Sequence, residues 1–252
     1  MYVDVNGHKL FCRITGSGKP VVIFENGLGD SCEIWHLVEP KVAEFAQTVV
    51  YDRAGVGRSN RATTPRTLTT IVNDLEILLT QLRLESPCLL VGHSLGGLIV
   101  RLYAANHPES VAGIVLVDAP HEQQTEAARK MLSQQAWNLI SGFWLHNPEG
   151  IDLAAEMERV GAISTDPDMA LTVLSATVVQ SPPFELQKEI AAEIAHISTK
   201  LFPSFQVQLA ETSSRSQLVR VEDAGHYIHL QRPDVIVTAI RTMCKALSST
   251  KK

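Results

Sequence analysis

Apolar and polar positions follow two rhythms along this chain, and the switching between them predicts its architecture. Residues 3–5 and 9–15 flank Asn6-Gly7, a strong two-residue turn signal, and read as a hairpin. Short apolar runs then recur at 21–24, 49–51, 87–91, 111–117 and 171–176, bounded by Gly, Pro or polar residues. Runs without a polar face suit strands buried on both sides, as in a parallel sheet. Between them the period lengthens. Leu68, Ile71, Val72, Leu75, Leu78, Leu79 and Leu82 form a stripe at three- and four-residue spacing, which predicts a helix over 68–84. A second helix is predicted to start near Asp30-Ser31, either of which can cap it, and to run through Trp35 and Val42 to Phe45. Residues 98–105 read as a helix that stops before His107-Pro108. A last strand is expected at 217–222 and a terminal helix at 233–246. Alternating strands and helices predict an α/β fold, a mostly parallel central sheet with helices on both faces.

The alternation breaks after Pro120. From His121 to Asp168 only helical patterns and loops occur, with Trp137, Phe143 and Trp144 close together. The expected division is therefore a core of residues 1–120 and 169–252, interrupted by a helical insertion at 121–168.

Composition narrows the function classes. A chain of 252 residues, 45% hydrophobic and of mean hydropathy +0.05, can bury the sheet of one compact unit. The formal charge of −5 repels phosphate backbones and anionic lipid, so neither nucleic acid nor a membrane is an expected partner. Cys12, Cys32, Cys88 and Cys244 are scattered, without the close pairs of a zinc or redox site. No basic start leads into an apolar stretch, and no run approaches the roughly 20 apolar residues of a membrane span. The expected compartment is a reducing cytoplasm.

Chemistry is concentrated at Gly92-His93-Ser94-Leu95-Gly96, with Gly97 behind it. The pentapeptide lies between a predicted buried strand and a predicted helix. A Gly-x-Ser-x-Gly in that setting is a nucleophile elbow, a turn so tight that the residues two places from the serine must lack side chains. It exposes the Ser94 hydroxyl at the carboxyl edge of a sheet, over a helix N-terminus that favours developing negative charge. A plain Gly-Ser turn is the alternative for the pentapeptide alone.

With the elbow in place, the sequence resembles the α/β-hydrolase superfamily over nearly its whole length. Val21-Val22-Ile23-Phe24-Glu25-Asn26-Gly27-Leu28-Gly29 resembles the strand and loop carrying that superfamily's His-Gly motif, with Asn26 in the histidine's place. The segment from Thr48 through Asp52-Arg53-Ala54-Gly55-Val56-Gly57-Arg58-Ser59 is similar to its Asp-Arg-x-Gly-x-Gly-x-Ser segment. Ala224-Gly225-His226-Tyr227, with Pro233 beyond, resembles the loop that supplies the base. The resemblance implies a helical cap at 121–168 over the active site. Trp137, Phe143 and Trp144 then become candidates to face substrate, the other reading being core of the helical layer.

A serine hydroxyl needs a base within hydrogen-bond reach. Of nine histidines, His226 stands where the resemblance puts that base. His229, one turn on, should point elsewhere, and His93 should pack beside the elbow. The acid that orients the imidazole usually follows the strand at 171–176 in this superfamily. Here that strand continues as Thr177-Val178-Val179-Gln180, with no carboxylate before Glu185. Asp118 ends the previous strand, a position some members use, and preserves the order Ser94, Asp118, His226. Asp118 is the favoured acid and Glu185 the second candidate; capping of the first insertion helix is the other role open to Asp118. The oxyanion hole falls to the backbone N–H groups of Leu28 and Leu95. Asp52 and Arg53 read as a loop anchor. No metal-ligand cluster or nucleotide fingerprint appears, so no cofactor and no metal are expected. The expectation is a serine hydrolase acting on a small-molecule ester or acyl substrate. Amide or lactone hydrolysis, perhydrolysis, carbon–carbon cleavage and acyl transfer use the same triad, and a non-catalytic small-ligand receptor could retain the fold.

Overall fold

The computed structural model describes residues 1–84, 87–160, 163–178 and 187–249, with the backbone alone for Phe143, Trp144 and Val160. Eight strands form one sheet: β1 (Tyr2–Val5), β2 (His8–Thr15), β3 (Val22–Glu25), β4 (Thr48–Tyr51), β5 (Cys88–His93), β6 (Val111–Val117), β7 (Ala170–Ala176) and β8 (Ser216–Val221). Their spatial order is β1-β2-β4-β3-β5-β6-β7-β8. The β1–β2 and β2–β4 pairs are antiparallel and the remaining pairs parallel. The hairpin turns at Asn6 and Gly7, both at positive φ (51° and 80°), the conformation that favours this dipeptide.

Adjacent residues of one strand feed opposite layers. Leu90, Ile114 and Leu116 pack with α2 (Leu68–Gln81) and α3 (Leu95–Asn106), through Ile71, Leu75, Leu98 and Ile99. Leu89, Val91 and Val115 pack on the other face with Trp35, α1 (Glu39–Val42) and α9 (Pro233–Ser249), through Val42, Ile236 and Ile240. This two-sided burial is why the strands read as continuous apolar runs.

The helix expected from Asp30 to Phe45 does not form as one piece. Cys32–Trp35 is a 3-10 turn and α1 follows separately. Pro40 sits near the start of α1, where its missing N–H is harmless; within a continuous helix its ring would clash with the carbonyl four residues back.

Within 121–168 lie α4 (Gln124–Met131), α5 (Gln134–Leu145) and α6 (Leu153–Val160). α7 (Lys188–Glu211) packs against α4 and α5 with Ile190 and Ile197, then reaches the sheet with Leu209. A short α8 (Ile228–Gln231) precedes α9. None of the described helices is long and apolar enough to cross a membrane.

Leu90 is fully buried at the centre of the sheet, whereas Leu139 on α5 is 39% exposed. Leu90→Ala should therefore cost about 2–5 kcal/mol and lower the unfolding midpoint by roughly 5–15 °C. Leu139→Ala should change it little. Thermal unfolding of the two variants checks the layer assignment, and equal losses would contradict it.

Candidate active site

Ser94 occupies the whole connection between β5 and α3, with φ 49° and ψ −123°. A residue with a Cβ in that region stores about 1–3 kcal/mol of strain, which surrounding structure must hold in place. Close packing does so here. A Cβ on Gly92 would lie 2.5 Å from the Gly96 carbonyl oxygen, and one on Gly96 would lie 2.5 Å from that of Glu25. The Ser94 N–H donates to Val117 O at 3.1 Å, tying the turn to the end of β6. The serine is partly exposed, at the carboxyl edge of the sheet, and lines a cavity of about 690 Å³.

Asp118 follows β6 directly, at φ 45°. Its N–H donates to Leu174 O at 2.8 Å, and its Oδ1 accepts from Ala176 N–H at 2.9 Å. The β7 backbone thus fixes one carboxylate oxygen, and Oδ2 is left for His226 Nδ1, 2.7 Å away. Asp118 caps no insertion helix: the N-cap of α4 is Gln123, without a side-chain cap bond. Asp118, His226 and Ser94 line the same cavity, as do Leu28 and Leu95. Neither Leu28 nor Leu95 has its backbone N–H bonded to an acceptor among the described residues. Glu185 lies outside the described residues.

The His226 backbone is held by a histidine cluster. Its carbonyl accepts from His93 Nε2 at 3.0 Å, and the His93 ring lies 4.7 Å from that of His226 and 4.5 Å from that of His229. A carbonyl only accepts, so Nε2 of His93 carries the hydrogen and Nδ1 is a bare acceptor. Burial, and then the neighbouring His226 and His229, keep His93 well below the usual histidine range. Burial likewise pushes His229 down to about 3. His229 turns away from the cavity and packs on Trp35, ring centroids 5.0 Å apart.

The loop after β3, which carries Leu28, is anchored by Arg53. This fully buried guanidinium donates to Glu25 Oε1 (2.6 Å), Asn26 O (2.7 Å) and Gly27 O (2.5 Å). It also grips both oxygens of Glu149, at 2.5 and 2.8 Å. Glu149 Oε1 in turn accepts from Gly29 N–H at 2.7 Å. Burial alone would raise the Glu149 carboxyl, but the Arg53 charge and hydrogen bonds more than offset it and hold the group below its ordinary value. Asn26 is used at both ends: Oδ1 accepts from Trp35 Nε1 and Nδ2 donates to Tyr51 O, each at 2.8 Å. Asp52 accepts from Cys32 N–H (2.6 Å) and Arg58 N–H (2.9 Å), so both members of the Asp-Arg pair brace loops.

The substrate-facing aromatics expected from sequence fare differently. Trp137 does not line the cavity; it packs in the helical layer with Ala128, Leu132 and Ile197, because α5 turns that side toward α7. The side chains of Phe143 and Trp144 lie outside the described residues. The apolar wall comes instead from Leu153 and Met157 of α6 and Phe202 and Pro203 of α7. Phe202-Pro203 was visible in the sequence, but nothing local places a proline at a cavity wall. Among the described residues, no group of three or more His, Cys, Asp or Glu could hold a metal ion.

Two outcomes follow for stability. His229 is neutral in the fold and protonatable once unfolded, so the unfolded state binds more protons below pH ~6.5 and stability falls on acidification. The contribution is roughly 2 kcal/mol at pH 5, growing until the pH reaches about 3. His229→Phe should flatten the acid limb of a stability–pH curve; an unchanged slope would contradict a buried neutral imidazole. Glu149→Ala leaves Arg53 short of a counter-charge and Gly29 N–H without its acceptor, at about 3–5 kcal/mol. Chemical denaturation checks this, with Glu149→Gln expected to lose less.

Comparison with known proteins places this architecture. The sequence profile of the alpha/beta hydrolase fold family matches residues 20–151. YqjL of Bacillus subtilis (strain 168), uncharacterized, is 26% identical across 89% of this chain and 83% of its own length. Several other curated relatives align over 21% or 33% of their own length. Among solved structures, a thermophilic esterase from Thermogutta terrifontis superposes with a TM-score of 0.68 at 23% identity, covering 98% of this chain and 99% of that one. The enol-lactonase of Burkholderia xenovorans LB400 gives 0.64 at 18% identity, over 96% and 99%. At such identities the superpositions speak for the fold. With the matching profile, the eight-stranded sheet and the elbow between β5 and α3, the chain belongs to the alpha/beta hydrolase family.

Proposed function

We propose that this chain is a serine hydrolase that cleaves a carboxylic ester, or a related acyl bond, of a small molecule through an acyl-enzyme. The observation that carries the reading is the 2.7 Å contact of Asp118 with His226 Nδ1, opening on the cavity that the strained Ser94 lines. Asp118 accepts the Nδ1 hydrogen and so leaves Nε2 as the base. His226 Nε2 takes the proton as Ser94 Oγ bonds to the acyl carbon, and returns it to the leaving alcohol. Water then attacks the acyl-serine by the same route, releasing the acid and restoring the hydroxyl. The carbonyl oxygen gains charge in both halves, and the backbone N–H groups of Leu28 and Leu95 are the donors assigned to it. The α3 N-terminus adds a favourable dipole. Lining the cavity with apolar side chains from α6 and α7 suits an acyl or alkyl chain. The four thiols are all buried and unpaired, in keeping with a reducing compartment such as the cytoplasm.

A fluorophosphonate probe with peptide mapping tests nucleophile and activity together. Label is expected on Ser94. Ser94→Ala should abolish it and lower ester turnover by several orders of magnitude. Asp118→Asn should keep the fold but favour the wrong imidazole tautomer, lowering turnover on the order of ten-thousand-fold. Label on another residue, or near-normal turnover in either variant, would overturn the assignment.

A further inference from the structure

Among the described residues, Asp30 has no hydrogen-bonding partner that accounts for its carboxylate. The sequence offered it as a helix cap, but the 3-10 turn Cys32–Trp35 has Ser31 at its N-cap and receives no side-chain cap bond. The carboxylate instead folds back beneath the loop that carries Leu28. A Cβ on Gly27 would lie 2.5 Å from Asp30 Oδ2 and 2.8 Å from His93 Nδ1, so the bare glycine makes room for both groups. The Asp30 side chain is 23% exposed, and that exposure is into the cavity lined by Ser94, Leu28 and His226.

Among the described residues, no donor faces the Asp30 carboxylate. His93 Nδ1 faces Asp30 Oδ2 at 3.8 Å, but the His93 hydrogen is on the other nitrogen, given to the His226 carbonyl. Two acceptors therefore face each other, and Nδ1 is buried without a hydrogen-bond partner. The nearby guanidinium of Arg53 is occupied by Glu25 and Glu149. Among the described residues, no N–H or O–H is hydrogen-bonded to the Asp30 carboxylate, and no Lys or Arg pairs with it. Withdrawing a carboxylate from water without a donor is costly, and burial accordingly raises its proton affinity, against the opposing pull of Arg53 and His226. A carboxylate so placed presents an acceptor of negative charge to any ligand in the cavity that carries a positive donor.

We propose that Asp30 selects substrate by charge: it receives an ammonium N–H carried by the substrate beside the Leu28 loop, and it disfavours substrates anionic at that place. The proposal rests on the serine-hydrolase reading and names its substrate class as esters of cationic, amine-bearing acids or alcohols. A charge-assisted hydrogen bond in a half-buried setting corresponds to at least about tenfold in kcat/KM.

Matched substrates test it, because a dimethylammonio group and an isopropyl group have the same shape and differ in charge. On the alcohol side the pair is 2-(dimethylamino)ethyl butyrate against 3-methylbutyl butyrate. On the acyl side it is the p-nitrophenyl ester of 6-(dimethylamino)hexanoate against that of 7-methyloctanoate. At neutral pH the cationic member is expected to lead by about tenfold or more in at least one pair. Asp30→Asn should bring that ratio close to one, whatever its absolute rate, and Asp30→Glu should restore part of it. Fluorophosphonate labelling of Ser94 is run on every variant. Labelling and turnover without a cation preference, or with a preference that survives Asp30→Asn, overturn the proposal and leave the hydrolase reading standing; a proton shared between Asp30 and His93 would give the first result. Absence of both labelling and turnover removes the hydrolase reading, and the proposal falls with it.

Discussion

The buried Arg53 guanidinium is the interaction on which the site's geometry depends. Five hydrogen bonds run from it to two carboxylates and two backbone carbonyls, and they join three segments far apart in the chain. Residues 25–27 close β3 and begin the loop beyond it, Arg53 follows β4, and Glu149 lies between α5 and α6. A buried ion network of this kind is weak evidence of net stability, because desolvating the charges offsets most of their attraction. Its value is geometric. Bidentate and carbonyl contacts leave the Leu28 loop few alternative positions, and Glu149 reaches past Arg53 to fix Gly29 N–H as well.

The same logic of over-determination applies at the sheet edge. Ser94 and Asp118 both have positive φ, and both hang from backbone hydrogen bonds to the neighbouring strand. Parallel strands bring the ends of β5, β6 and β7 to one edge, so an elbow, a carboxylate and its backbone support become neighbours without being close in sequence. His226 arrives from beyond β8 and is steadied through its carbonyl by His93, inside the elbow strand. That histidine stays neutral through burial, which leaves its second nitrogen bare toward Asp30.

The helical layer shows how local pattern and assembled structure part company. The stripe of α5 that contains Trp137 was legible as apolar, but an apolar stripe does not say which neighbour it will cover. α7, separated from α5 by α6 and β7, took that surface, and it also supplied Phe202 and Pro203 to the cavity wall. The 30–45 segment failed for a local reason: Pro40 was in view, and its cost to a continuous helix outweighed the surrounding apolar spacing.

By itself the sequence determined the eight strands, the helices at 68–84, 98–105 and 233–246, and the elbow at Ser94. Those features rest on periodicity, turn chemistry and the steric need for glycine, all of which act over a few residues. It also put Asp118 and His226 at strand ends, where a parallel sheet collects them. Only the tertiary structure decided that Asp118 Oδ2 meets His226 Nδ1, that Glu149 completes the Arg53 network, and that Asp30 faces the cavity. Those are contacts between segments up to 108 residues apart. Their geometry is fixed by packing of the assembled layers, for which no short stretch of sequence carries a signal.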